Sequence, residues 1–127
     1  AGLTPIIEPE VTIKIFQKSK AEESLKKSLI KNLNKLASKQ NVLLKLTLPE
    51  KENFYEDLVK HPNVLRVVAL SGGYSLAEAN KRLEENSGVV ASFSRALTQS
   101  LFVHQTADEF NSALDQTISR IAAASET

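Results

Sequence analysis

The run Val42-Leu43-Leu44-Lys45-Leu46-Thr47-Leu48 restricts the fold more than any other part of the chain. It is almost continuously apolar, shorter than a typical helix, and closed by Pro49. A strand with one wetted face alternates polar and apolar residues. A run like this one predicts a strand buried on both faces, as in a parallel sheet covered by helices. A second such run is Val64-Leu65-Arg66-Val67-Val68-Ala69-Leu70. Shorter β-branched segments flank the pair: Pro5-Ile6-Ile7-Glu8-Pro9-Glu10-Val11-Thr12-Ile13 on one side and Val89-Val90-Ala91-Ser92-Phe93-Ser94 on the other. The prolines of the first suit a strand buried by its side chains better than the middle of a hydrogen-bonded ladder.

Helical patterns fill the intervals. Residues 20–37 carry Leu25, Leu29, Leu33 and Leu36 at helical spacing, with Lys26, Lys27, Lys31 and Lys35 between them, which predicts an amphipathic helix with a basic, solvated outer face. Residues 53–60 form a short helix with Phe54 and Leu58 four apart, stopped by His61-Pro62. Ser75-Leu76-Ala77-Glu78 is a capping box opening a helix to about residue 85, and Gly88 suits the left-handed position after it. Thr106-Ala107-Asp108-Glu109 is a second box, followed by Phe110, Leu114, Ile118 and Ile121. The order is β-α-β-α-β-α-β-α, which argues an α/β fold with a parallel sheet. Four βα units in 127 residues are half of the eight units and roughly 250 residues of a TIM (β/α)8 barrel. The alternative, a small doubly wound domain, usually shows five or more strands and a switch point.

Composition removes several classes of function. Lys+Arg number 16 and Asp+Glu 15, so nothing draws the whole chain toward nucleic acid or an anionic membrane. No apolar run approaches the roughly 18 residues of a membrane span. With no cysteine and two histidines, neither a thiolate site nor a histidine-rich metal site is expected, and nothing asks for an oxidising compartment. We therefore expect no metal, no cofactor, no nucleic-acid or membrane partner, and a cytoplasmic protein. There is no methionine, and Ala1-Gly2-Leu3-Thr4-Pro5 runs straight into apolar sequence; the expectation is a piece of a longer chain.

Lys45 is the most informative residue. Alternation puts Leu43, Lys45 and Thr47 on one face of their strand and Leu44, Leu46 and Leu48 on the other. On a dry face an ammonium is costly unless paired or deprotonated, and desolvation makes the amine nucleophilic, as Schiff-base chemistry requires. The plain alternative is a lysine paired with a carboxylate. Glu8 and Glu10, two apart, point to one face and could shuttle protons near an imine or simply pair with Lys45 or an arginine. Ser71-Gly72-Gly73, between a strand and a capped helix, is a candidate phosphate cradle as well as an ordinary βα turn. Ser94-Arg95 ends the last strand, where an arginine makes a second phosphate clamp or a plain surface residue. Arg66 reads as structural or facing the helix layer, and His61 and His104 as solvent-facing.

Four segments in order carry a resemblance: Pro5-Ile6-Ile7-Glu8-Pro9-Glu10, Leu43-Leu44-Lys45-Leu46-Thr47, Leu70-Ser71-Gly72-Gly73-Tyr74-Ser75 and Ser92-Phe93-Ser94-Arg95-Ala96-Leu97. Together they resemble class I fructose-bisphosphate aldolase, closest to the shorter bacterial form, over essentially the whole chain. The resemblance implies strands 5 to 8 of the barrel, so that residues 1–127 are the C-terminal half of one domain. It implies that Lys45 forms the Schiff base with dihydroxyacetone phosphate and that Glu8 exchanges protons in carbinolamine dehydration and imine hydrolysis. It further implies that Glu10 supports the site, and that Ser71, Gly72, Gly73, Ser94 and Arg95 bind substrate phosphate. Ser94 stands where animal members carry glycine, and the chain ends Ala124-Ser125-Glu126-Thr127 where they end in a catalytic tyrosine, so another group must take that step. The family's strand-1 aspartate and its strand-3 and strand-4 lysines have no counterpart here. The expectation is a fragment inactive alone, with two unpaired strand edges, that pairs with the missing N-terminal half or self-associates.

Two readings of function follow. One is a metal-independent lyase that cleaves fructose 1,6-bisphosphate through an imine on Lys45, or a Schiff-base aldolase for another sugar phosphate. The other is a stand-alone βα module that binds a phosphorylated ligand or assembles as a scaffold; it predicts that Lys45→Met leaves ligand binding intact, whereas the enzyme reading predicts loss of covalent capture with the fold largely kept.

Overall fold

The computed structural model describes residues 2–127. Its elements alternate as β1 (Ile6–Ile7), α1 (Lys18–Leu33), β2 (Val42–Thr47), α2 (Glu56–Val59), β3 (Val64–Leu70), α3 (Leu76–Glu84), β4 (Val89–Ala91) and α4 (Ala107–Ala124). The strands form one sheet in the order β1-β2-β3-β4, and every neighbouring pair is parallel. The order advances one strand at a time with no reversal among the described residues, so the switch point of a doubly wound sheet is not present there.

Right-handed crossovers between sequential parallel strands put the helices on one face of the sheet. The core agrees. Leu44, Leu46 and Leu48, with Val67, Ala69 and Val89, form one cluster with Leu29 and Leu33 of α1, Leu58 of α2, Ala79 and Leu83 of α3, and Ala124 of α4. Parallel partners share a face, so the register fixes what lies opposite. Leu43 pairs with Arg66, Lys45 with Val68 and Thr47 with Leu70. These residues form the face turned away from the core.

That face corrects one expectation. β2 is fully dry only toward the helices; on the other side Leu43 and Lys45 are half-buried, because the described helices cover only one side. Arg66 is corrected as well: its register puts it on the side of Lys45 rather than on the helix layer, and it is exposed.

The outer strands are shorter than the sequence predicts. The expected strand at residues 5–13 contracts to β1, where Ile6 and Ile7 are 56% and 38% exposed rather than buried. Pro9 has no N–H for a ladder, and Val11 N–H goes to the Thr47 hydroxyl at 2.9 Å rather than to a backbone carbonyl of β2. The strand expected at 89–94 ends as a ladder at Ala91, although Ser92 N–H still donates to the Ala69 carbonyl at 2.8 Å and Phe93 remains in the core.

The helices lie close to their expected places. α1 begins two residues earlier and ends at Leu33, with Leu36 still packed on the core. Lys27, Lys31 and Lys35 are solvated as expected, but Lys26 is not: it donates to the Phe54 carbonyl and pairs with Asp57, both at 2.7 Å. α2 is a single turn, Glu56–Val59. Gly88 has φ +76°, and a Cβ there would lie 2.7 Å from a Val59 methyl, so conformation and space both require glycine. α4 departs most. It leans on α3 and β4 through Thr117, Ile121 and Ala124, while Phe110 and Ile118 of the expected apolar stripe stay exposed. No helix among the described residues is long and apolar enough to cross a membrane.

Candidate active site

At the carboxyl end of the sheet, Glu8, Glu10, Lys45, Leu70, Ser71, Gly72, Ser92, Ser94 and Arg95 line one cavity of about 100 Å³. β1, β3 and β4 contribute through their last residues or the loops that follow, and β2 through Lys45 within the strand. This end collects side chains because parallel strands all finish on the same side. The structure thus brings together every residue given a catalytic or phosphate-binding expectation from the sequence except Gly73. Gly73 lies next door, in a hollow it shares with Tyr74, Ser75 and Arg95.

Lys45 extends from the middle of β2 and is 26% exposed, so the dry ammonium expected from its neighbours is relieved by partial solvation and by an ion pair. Its Nζ lies 2.8 Å from Glu8 Oε1. Glu10 lines the same cavity without entering that pair, and both glutamates sit just past the end of β1. A carboxylate at this distance can accept a proton from the ammonium as the amine attacks a carbonyl, and return it to a departing hydroxyl.

The Ser71 loop is built for close backbone approach. Ser71 is buried, and its carbonyl accepts from Tyr74 N–H at 2.9 Å, closing the turn. Gly72 and Gly73 have φ of +60° and +100°. A Cβ on Gly72 would meet Ile13 and Thr47 methyls at 3.1 and 3.2 Å. α3 follows, with the Ser75 hydroxyl accepting from Glu78 N–H at 3.3 Å. Only half of the expected capping box forms, because the Glu78 carboxylate turns to Arg82 Nε at 2.7 Å instead. Ser94 and Arg95 are exposed at the start of a turn rather than within a strand. The charges on the cavity balance, with two carboxylates facing one ammonium and one guanidinium.

Sequence reasoning missed the straps behind the site. Lys18 and Glu22 form an ion pair in which each side chain is 1% exposed. Lys18 Nζ also donates to the Leu48 carbonyl at 2.8 Å, and Glu22 Oε2 accepts from Glu50 N–H at 3.3 Å. Between them, Arg82 donates to the Pro49 carbonyl at 3.2 Å while its guanidinium lies 4.5 Å from the Tyr74 ring centre. Three successive residues after β2 are therefore held by charged side chains of α1 and α3. The one signal in the sequence was the i, i+4 spacing of Lys18 and Glu22, which also describes any solvated helix pair. Nearby, burial and the Glu22 carboxylate push the Tyr55 phenol well above its ordinary range. Burial likewise raises Tyr74.

The histidines take no part in the cavity. His61 Nδ1 accepts from Asn63 N–H at 3.2 Å and Nε2 contacts Asn34 Oδ1 at 3.0 Å, so it braces a turn rather than facing solvent freely. His104 is exposed and stacks on Phe102.

No protein-family model matches the chain. Curated relatives do, along its whole length. It is 59% identical over 127 residues to a fructose-bisphosphate aldolase class 1 of Synechocystis, covering 100% of this chain and 42% of that protein. The same name is carried by a protein of Clostridium acetobutylicum, 55% identical over 126 residues (99% of this chain, 43% of that one). A third, from Porphyromonas gingivalis, is 52% identical over 124 residues (98% and 42%). The resemblance read from the four segments therefore extends across the chain, which spans less than half the length of the relatives it matches.

Proposed function

We propose that this chain supplies the imine-forming lysine and part of the phosphate-binding wall of a class I fructose-bisphosphate aldolase, as the C-terminal four βα units of a single (β/α)8 barrel. The observation that carries the reading is the Lys45–Glu8 pair at 2.8 Å on the same small cavity as Ser71, Gly72, Ser94 and Arg95. The relatives' shared name and the parallel, unreversed sheet support it.

In this reading Lys45 Nζ, relieved of a proton by Glu8, attacks the C2 carbonyl of the ketose bisphosphate. The carbinolamine hydroxyl takes a proton from Glu8 and leaves as water, giving an iminium. When the C3–C4 bond breaks, its electron pair flows into the iminium to give an enamine, and the proton of the C4 hydroxyl passes to a base as glyceraldehyde 3-phosphate forms. Protonation of the enamine carbon and hydrolysis of the imine release dihydroxyacetone phosphate. Gly72, Gly73 and Arg95 would hold a phosphate by backbone N–H groups and guanidinium. A cavity of about 100 Å³ is below the roughly 300–1,000 Å³ of ordinary ligand pockets, which supports a site completed by the other half of the barrel.

The test is cleavage of fructose 1,6-bisphosphate by the protein at its relatives' full length, in the presence of a chelator. Activity is expected to persist. Lys45→Met should lower kcat by more than about 10³-fold, because it removes the covalent route, and Glu8→Gln by about 10²-fold or more, because it removes the proton carrier. A Lys45→Met protein with near-normal turnover, or loss of all activity on chelation, contradicts the reading.

A further inference from the structure

We propose that Thr47 is a positioning residue that sets both the carboxylate and the phosphate loop against Lys45, the hydroxyl governing one and the methyl the other. The inference rests on the imine reading above. Thr47 is fully buried and lies two residues beyond Lys45, on the same face of β2. Its Oγ1 accepts from Val11 N–H at 2.9 Å. Its methyl lies 3.2 Å from where a Gly72 Cβ would sit, beside the Ile13 methyl at 3.1 Å. One side chain therefore hydrogen-bonds the segment after β1 and fills the space beside Gly72 in the loop after β3, while standing on the strand of the lysine.

The hydroxyl contact falls where the backbone ladder has stopped. β1 and β2 pair only at Ile6–Leu43 and Ile7–Leu44. Glu8, Pro9 and Glu10 then span an interval whose far end is held by Thr47, and Pro9 has no N–H to hold it in between. Removing the acceptor leaves a buried donor unpaired and frees the far end of the segment that carries Glu8. The methyl acts on a different part. It closes the space beside Gly72, so removing it lets that loop settle inward by a fraction of an ångström and moves the backbone offered to a phosphate.

The two functions separate in two substitutions. Thr47→Val keeps the shape and loses the acceptor; Thr47→Ser keeps the acceptor and loses the methyl. The experiment measures borohydride trapping of dihydroxyacetone phosphate on Lys45, against ligand concentration, in the protein at its relatives' full length. Misplacement of reacting groups by about 1 Å can cost about 10²-fold, so Thr47→Val should slow trapping at saturating ligand by about tenfold or more, with half-saturation little changed. Thr47→Ser should trap at saturation within about threefold of the parent, while its half-saturating concentration rises by about threefold or more. If Thr47→Val does not fold, Thr47→Ser against Thr47→Ala compares the same hydroxyl. Equal losses in the two variants, or a lower Tm with trapping unchanged in both, overturn the inference and leave Thr47 a packing residue. An unsubstituted, folded protein that traps nothing on Lys45 overturns the imine reading itself, and this inference with it.

Discussion

Charged side chains do two different jobs in this fold, and exposure separates them. The Lys45–Glu8 pair is partly solvated on both sides, so its Coulomb attraction is screened and contributes at most about 1 kcal/mol to stability. Such a pair is arranged for what its atoms can do. Lys18 and Glu22 are the opposite case, with both charges removed from water and their remaining capacity spent on the backbone at Leu48 and Glu50. Breaking a buried pair from one side strands the other charge. Lys18→Met should therefore destabilise the protein by about 3–5 kcal/mol in urea, and adding Glu22→Leu should recover much of that loss. A loss no larger than that of Lys45→Met would refute the distinction. Lys45 was legible in the sequence because a charge inside an apolar run is conspicuous. Lys18 was not, because burial of a helical lysine depends on the loop that closes over it, which no local pattern records.

Among the elements, the two that begin at capping motifs behave differently. α4 opens with a complete box: Glu109 N–H donates to the Thr106 hydroxyl, and the Glu109 carboxylate accepts from Thr106 N–H at 2.8 Å. The Thr106 N–H and, at 3.0 Å, the Thr106 hydroxyl both donate to that carboxylate and hold the Glu109 carboxyl below its ordinary range. A carboxylate favoured in the folded state stabilises above its unfolded pKa, and that contribution is lost as pH falls through the lower folded value. The first turn of α4 should thus loosen only below the usual glutamate range, seen as loss of Thr106 amide protection in acid. Glu109→Gln should remove the pH dependence, and a Thr106 amide equally protected at every pH would contradict it. In α3 the same pattern of residue types closes only half the box, because Arg82 competes for Glu78. Helical spacing of apolar residues located the helices, and short apolar or β-branched runs located the strands, because burial repeats along a helix and is continuous along a strand covered on both faces. Strand lengths were not legible: whether residues 8–13 continue a ladder depends on Pro9 and on a side chain 36 positions away in sequence, Thr47.

The molecule as a whole is a four-stranded parallel sheet covered on one side, with apolar residues exposed at both borders: Ile6 and Ile7 along β1, and Phe110 and Ile118 on α4 beyond β4. The outer edges of β1 and β4 have no neighbouring strand among the described residues, and such edges template further pairing. A closed barrel would cover both at once, and would also enlarge the small cavity around Lys45. The alternating order of strands and helices made the open sheet legible from sequence, and the parallel direction it implies gathers Glu8, Lys45 and Ser71 at one end. The straps behind the site were illegible because they cross between elements far apart in sequence. The most direct test of the account is intact-mass spectrometry, with peptide mapping, after borohydride reduction of the full-length protein in dihydroxyacetone phosphate. The account predicts one reduced adduct per chain, on Lys45. A folded, full-length protein that carries no adduct, or carries it on another lysine, contradicts it.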